Sequence, residues 1–454
     1  MLSMRKLFLL LLLIGAFVTR SSAQHEHHKM QNMQEKKDTI PGKNKMEHEH
    51  AMEHDQGMGH PMSHAYSLNL PMSRNGSGTS WLPDETPMYM YMTGKKTMWM
   101  FHGSVFLRYT NTNVFNKGIG ADKFDAPNWF MVMMNRRVGK KGLFSAKAMI
   151  SLDRLTEGGN GYPLLFQSGE TYKGNPLVNR QHPHDLFAEL SVGYSYAINK
   201  HTDVFAYFGY PGEPAISAPA FMHRVSAMNN PDAPLGHHWQ DATHITFGVG
   251  TLGFRYKQFK LEGSIFTGRE PDEERYGFDK ARFDSYSYRL SYNPSPNWAL
   301  QFSQGFINEP ELLEPGVDVT RTTASVLYAK KTGKAKDLNA ALIWGFNNKG
   351  EGHKEHSLLL EENYRFGRNA LYSRYEWVQK STEELALEDQ LGHKTFDVHV
   401  FTAGYNRGIW KSKVVDLAAG TQVTLNFPAS GLKPVYGNLP VGFQVYLQLR
   451  PVLQ

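Results

Sequence analysis

The stretch LFAELSVGYSYAI, residues 186–198, alternates without a break. Leu186, Ala188, Leu190, Val192, Tyr194, Tyr196 and Ile198 share one face, and Glu189, Ser191, Gly193 and Ser195 share the other. Successive strand side chains point to opposite sides, so this is a strand with one apolar and one polar surface. The pattern returns in DSYSYRLSY (284–292), where Tyr286, Tyr288, Leu290 and Tyr292 oppose Ser285, Ser287, Arg289 and Ser291. It returns again in FQVYLQLR (443–450). Beyond Met98 no stretch holds a helical period over 15 residues and no apolar run approaches 18. One apolar and one polar face per segment, repeated along a whole chain, predicts an all-β fold: a transmembrane antiparallel β-barrel.

Sixteen such segments are countable, at roughly 98–110, 128–138, 142–153, 185–198, 202–210, 242–256, 258–268, 284–292, 297–307, 319–330, 337–347, 356–366, 370–379, 396–407, 413–426 and 441–450. Their connections alternate between short (GKK, NKH, FGRN) and long, two of the long ones running to about 31 residues. A barrel with short periplasmic turns and long outer loops requires that alternation, whereas a water-soluble sandwich has no reason for it. Trp99, Tyr109, Trp129, Tyr207, Trp298, Tyr328, Trp344, Trp377 and Trp410 lie near segment ends, as interfacial girdles do. These features put the barrel in contact with outer-membrane lipid.

Residues 1–23 read as a secretory signal peptide: Arg5 and Lys6, an apolar run from Leu7 to Val18, then Ser21-Ser22-Ala23. Without them the chain loses Arg5, Lys6 and Arg20 and no acid, leaving an excess of only three basic residues. That balance gives nucleic-acid binding no support. With no cysteine, disulfides and thiolate ligands are both excluded.

Residues 24–66 read as a disordered periplasmic tail and 67–97 as a junction before the barrel at 98–454. Between Gln24 and His64 there are eight His and six Met but no Leu, Val, Phe, Tyr or Trp, too little apolar surface to offset ordering entropy. His25, His27, His28, His48, His50, His54, Met58, His60, Met62 and His64 form flexible ligand clusters. Imidazole suits Cu(II), Zn and Ni, and thioether selects Cu(I). Copper is favoured because Met adds nothing for zinc; zinc and nickel are the alternatives. Met88, Met90, Met92, Met98 and Met100 continue at spacing two, the pattern of one face of an extended segment.

Two neighbouring long loops carry a second set. RQHPHD supplies His182, His184 and Asp185; MHRVSAMNNPDAPLGHHWQDATH supplies His223, His237, His238, Asp241 and His244. Strand parity aims Asp185 and His244 into the lumen, and the six imidazoles are expected to form one cluster. Three or four His with a carboxylate are a Zn, Cu(II) or Ni set. The loop GREPDEERYGFDKARFD (268–284) reads as solvated and charged.

The motifs RQHPHDLF, PAFMHRVSAMNNPDAPLGHHWQDATHITFGV and FTGREPDEERYGFD resemble an uncharacterised family of Gram-negative outer-membrane proteins found in metal-resistance settings, over residues 72–454. A Met/His-rich tail before a barrel also resembles the copper-resistance protein B type. The resemblance implies an outer-membrane location; the tail and the loop histidines point to metal handling, with periplasmic efflux components as partners. A general diffusion porin with an incidental tail is the alternative. A barrel metalloenzyme is the weaker one, since no Ser-His-Asp pattern is readable and no catalytic role is expected.

Overall fold

A computed structural model describes residues 63–115, 118–350 and 353–454. Sixteen long strands close into one barrel: β1 (Thr97–Asn111), β2 (Asn128–Val138), β3 (Gly142–Ile150), β4 (Phe187–Asn199), β5 (Thr202–Gly209), β6 (Val249–Tyr256), β7 (Phe259–Phe266), β8 (Ser285–Ser295), β9 (Trp298–Ile307), β10 (Val319–Gly333), β11 (Lys336–Asn348), β12 (Lys354–Phe366), β13 (Asn369–Ser381), β14 (Thr395–Lys411), β15 (Val415–Pro428) and β16 (Val441–Pro451). Neighbours pair antiparallel, and β16 returns to β1 through Phe443↔Asn111 to Leu449↔Val105. Closure leaves no strand edge unpaired.

Alternation sets which surface faces where. On β8, Tyr286, Tyr288 and Leu290 are 40–55% exposed outward, while Ser285, Ser287, Arg289 and Ser291 are at most 4% exposed inside. β4 and β16 repeat this with Val192 and Tyr194 against Ser191 and Ser195, and with Val445 and Leu447 against Gln444 and Gln448. An apolar outer wall around a polar interior suits lipid outside and hydrogen-bonding partners within. Trp99, Trp298 and Trp410 stand exposed at the short-turn end, and Phe208 and Tyr286 at the loop end.

The lumen is filled. Residues 211–247, between β5 and β6, are almost wholly buried, as are many from Ser63 to Met90. Arg108 on β1 bonds Asp232 (2.6 Å) and Asp125 (2.7 Å), and Gln422 and Gln444 reach the other Asp232 oxygen. Arg224 reaches Glu361 on β12 (2.8 Å), and Tyr446 on β16 donates to the Asn229 carbonyl (2.7 Å). A plug rich in Pro and Asn cannot satisfy its own backbone, so the polar inner wall does it.

Several boundaries move by a few residues, and two shifts have a local cause. The strand expected at 242–256 starts at Val249, because 3-10 turn Ala242–His244 and positive-φ Gly248 precede it. The strand expected at 142–153 stops at Ile150, before the helical turn Asp153–Thr156. Ser63–Tyr66, expected to belong to the tail, pack in the lumen beside the strand Ser67–Pro71. Residues 1–62, on which the expected signal peptide and most of the expected tail fall, lie outside the described residues.

Candidate functional site

Five of the six loop imidazoles converge. Ring centroids lie 5.0 Å apart for His237 and His244, 5.4 Å for His237 and His238, and 5.6 Å for His184 and His244. His182 sits among them, 5.9 Å from His238, 6.3 Å from His237 and 6.4 Å from His184. The sixth, His223, packs elsewhere, 4.9 Å from the Trp129 ring. The 3-10 turn Phe221–His223 carries it toward β2 instead.

Local structure explains the convergence. GHHWQDATH makes one turn of helix, His237–Gln240, which puts His237 and Asp241 on one face at i and i+4. Asp241 Oδ1 meets His237 Nδ1 at 2.5 Å, and the Asp241 carbonyl meets His244 Nδ1 at 2.8 Å. The second Asp241 oxygen accepts from Arg224 and from the Phe221 N–H, both at 3.0 Å. The neighbouring loop arrives because β3 and β4 pair: Ser151 donates to the Leu186 carbonyl, which brings Asp153 within 2.7 Å of His184 Nδ1. His182 Nε2 stands 3.1 Å from Glu170 Oε1. Positive φ at Gly169 lets the loop pass His238: a Cβ there would lie 2.4 Å from the imidazole.

The residual chemistry is specific. His184, His237 and His244 each spend Nδ1 on a carboxylate or carbonyl. The Nε2 atoms of His184 and His244, and both nitrogens of His238, are buried without a partner. Metal-bound histidines are oriented in this way, one nitrogen on a carboxylate or carbonyl and the other on the ion. The cavity these rings line is ≈ 10 Å³, room for about one water or one ion. Among the described residues no set of three donors already has ligand geometry. Nitrogens sharing one ion at ~2.1 Å stand at most ~4.2 Å apart, so the rings must turn toward one another to share one.

Burial, aided by its imidazole neighbours, holds His182 and His238 well below the ordinary histidine range and His244 at about 3. These rings are therefore neutral at pH 7, with lone pairs available. Burial pushes the Asp241 carboxyl up, but His237 and Arg224 outweigh it and hold it low.

Of the other expected ligands, Asp185 precedes its strand and bonds Arg275 at 3.1 Å. Asp241 has both oxygens occupied and acts as an orienting group. His244 reaches the lumen from a turn, not from the strand face that parity implied. His64 is buried against Tyr66 and Trp81, its Nδ1 accepting from the Tyr66 N–H at 3.0 Å. His25, His27, His28, His48, His50, His54, Met58, His60 and Met62 lie outside the described residues. Sequence reasoning missed Asp153, Glu170, Glu270 and Arg275. The loop read as solvated supplies Glu270, 3.8 Å from His238 Nδ1, and the buried Arg275, which pairs with Glu170. Burial pushes the Glu270 carboxyl up to about 8. Only the neighbouring apolar and aromatic residues of that loop, Tyr276 and Phe278, hinted at packing.

No protein-family model and no curated protein matches the sequence. Among solved structures the chain is similar to OmpF of Salmonella typhi in complex with daunomycin (10% identity, 78% of this chain and 98% of that one, TM-score 0.46). It is similar too to an anion-selective porin from Comamonas acidovorans (11%, 78% and 99%, 0.45) and to Pseudomonas putida OprB (9%, 78% and 94%, 0.48). The likeness is one of outer-membrane barrel architecture.

Proposed function

We propose that this outer-membrane β-barrel binds a transition metal in its lumen, through His184, His237 and His244 with His182 and His238 beside them, and serves metal handling rather than free diffusion. The observation that carries the reading is that His184 and His244 are oriented through Nδ1 while their Nε2 atoms, and both nitrogens of His238, are buried without a protein partner in rings that line a cavity of ≈ 10 Å³. Leaving buried polar atoms unpaired costs about 1–3 kcal/mol each, a penalty that a bound ion would remove. All-nitrogen ligation admits Cu(II), Zn or Ni. Copper is the favoured cargo, because residues 24–62 add thioethers to imidazoles. In this reading the tail collects metal in the periplasm, with efflux components as donors, and the barrel receives it. The test is metal content of the purified full chain after loading with Cu(II) or Zn. His184→Ala with His244→Ala should lose one equivalent while the tail's share stays, and unchanged content would remove the reading.

A general diffusion pore is the second reading. Sixteen strands around a polar wall favour it, and the packing of residues 211–247 opposes it. Single-channel conductance separates the two, since a diffusion pore conducts steadily and a plugged barrel does not.

A further inference from the structure

A second cavity, ≈ 150 Å³, runs along the inner wall of β1 and β2 and is lined by eight methionines with His102 and His223. Four of its side chains come from two paired strands. His102 stands directly across from Met131, and Met100 across from Met133, all on the lumen face. Directly opposed residues on one face of an antiparallel pair have Cβ atoms about 4.5–5.5 Å apart, so the three sulfurs and the imidazole are within reach of one point. His102 Nε2 is buried without a partner. Met88 and Met90 approach from the segment before β1, and Met222 with His223 from the plug. Apolar filling alone would be served by Leu or Ile. Met100, Met131 and Met133 are 0–5% exposed, and their thioethers share the lumen face with an imidazole whose Nε2 has no partner.

We propose that this cavity is a second metal site, a thioether–imidazole site for a soft monovalent cation, Cu(I), formed by Met100, Met131, Met133 and His102. Thioether selects Cu(I) where imidazole alone does not. The surroundings tolerate a monocation. Lys147, opposite Met133, is held by the Gly78 carbonyl and lies 3.7 Å from Glu189, and Asp153 and Glu157 line the same cavity. Arg224 and Arg450, also in the lining, are paired with Glu361 and Asn229. His184 also lines this cavity, yet the soft site stands whether or not the histidine cluster binds metal.

Silver(I), a redox-inert soft cation, is the probe, added to the full chain in detergent at pH 5. Met100→Leu/Met131→Leu/Met133→Leu should hold one Ag(I) fewer per chain than wild type, the tail's thioethers giving an equal background in both. His182→Ala/His237→Ala should keep that equivalent, which separates failure here from failure of the histidine site. Folding of each variant is checked by its heat-dependent gel mobility. Should the triple variant misfold, the wild type decides. Ag(I) should slow peroxide oxidation of Met131 and Met133 about tenfold and leave Met134, on the outward face, unchanged. An equal silver count in the folded variant, or equal oxidation with and without silver, would overturn the site.

Discussion

Replacing Asp241 tests the histidine cluster at its hinge. Its carboxylate fixes His237 through Nδ1 and holds the plug through Arg224 and the Phe221 N–H. Asp241→Asn keeps an acceptor for His237 and removes the charge. Loss of such an orienting partner typically weakens metal binding ~10–100-fold, about 1.4–2.7 kcal/mol. Asp241→Ala goes further, leaving the His237 ring nitrogen and the Phe221 N–H without a partner and one ion pair broken, while Arg224 keeps the Pro219 carbonyl. Breaking a buried pair costs about 3–5 kcal/mol. Because Arg224 retains Glu361 at 2.8 Å, the lower end is expected, near ~3 kcal/mol. The assay is zinc competition against a fluorescent chelator on full chain in detergent, where the tail's sites appear as a component common to all variants. The tightest component should weaken in Asn and weaken further or vanish in Ala. A tightest component unchanged within ~2-fold in both folded variants would mean that the ring orientation has nothing to do with metal.

Further outcomes follow from the same contacts. Burial lowers the pKa of His182, His238 and His244 in the folded protein, so folding is favoured above pH ~6.5 and that stability is lost as pH falls toward the folded value, about 3 for His244. For the same reason metal ligated by His182, His238 and His244 should persist at pH 5, whereas exposed histidines of pKa ~6.5 lose about 30-fold per ligand there; equilibrium dialysis at pH 7 and 5 reads both, and parallel losses would contradict the burial argument. Gly169→Ala should push His238 aside and destabilise the loop by about 1–3 kcal/mol, because φ is +99° and the new Cβ meets the ring; an unchanged melting temperature and metal content would refute that contact. Asp232→Ala removes the acceptor of Arg108, Gln422 and Gln444 and should loosen the plug, seen as channel openings in planar bilayers where wild type is quiet.

All sixteen strands were legible because lipid outside and polar contacts inside force a strict period of two, the one pattern that survives in sequence whatever the side chains touch. The breaks were less legible. Val249 starts its strand late because HHWQDATH spends its hydrogen bonds locally, in turns with no periodicity to read. The gathering of His182, His184, His237, His238 and His244 followed from adjacent loops, but His223 faces Trp129 because a single 3-10 turn, Phe221–His223, redirects it. Tyr276 and Phe278 apart, nothing in GREPDEERYGFD distinguishes the half-buried Glu270 and the buried Arg275 from charges that stay in water. Spacing marked the methionines of 88–100 as a face. That the face looks into the lumen at His102 and Met131 required the register of β1 on β2.

The central claim is that the histidine cluster holds a metal ion. It is tested most directly by diffraction from crystals of the full chain grown with zinc or Cu(II), with data collected on both sides of the metal absorption edge. An anomalous peak within ~2.1 Å of Nε2 atoms from at least three of His182, His184, His237, His238 and His244 is the expected result. A loaded crystal with its cluster density filled by water alone, and the five rings still apart, would contradict it.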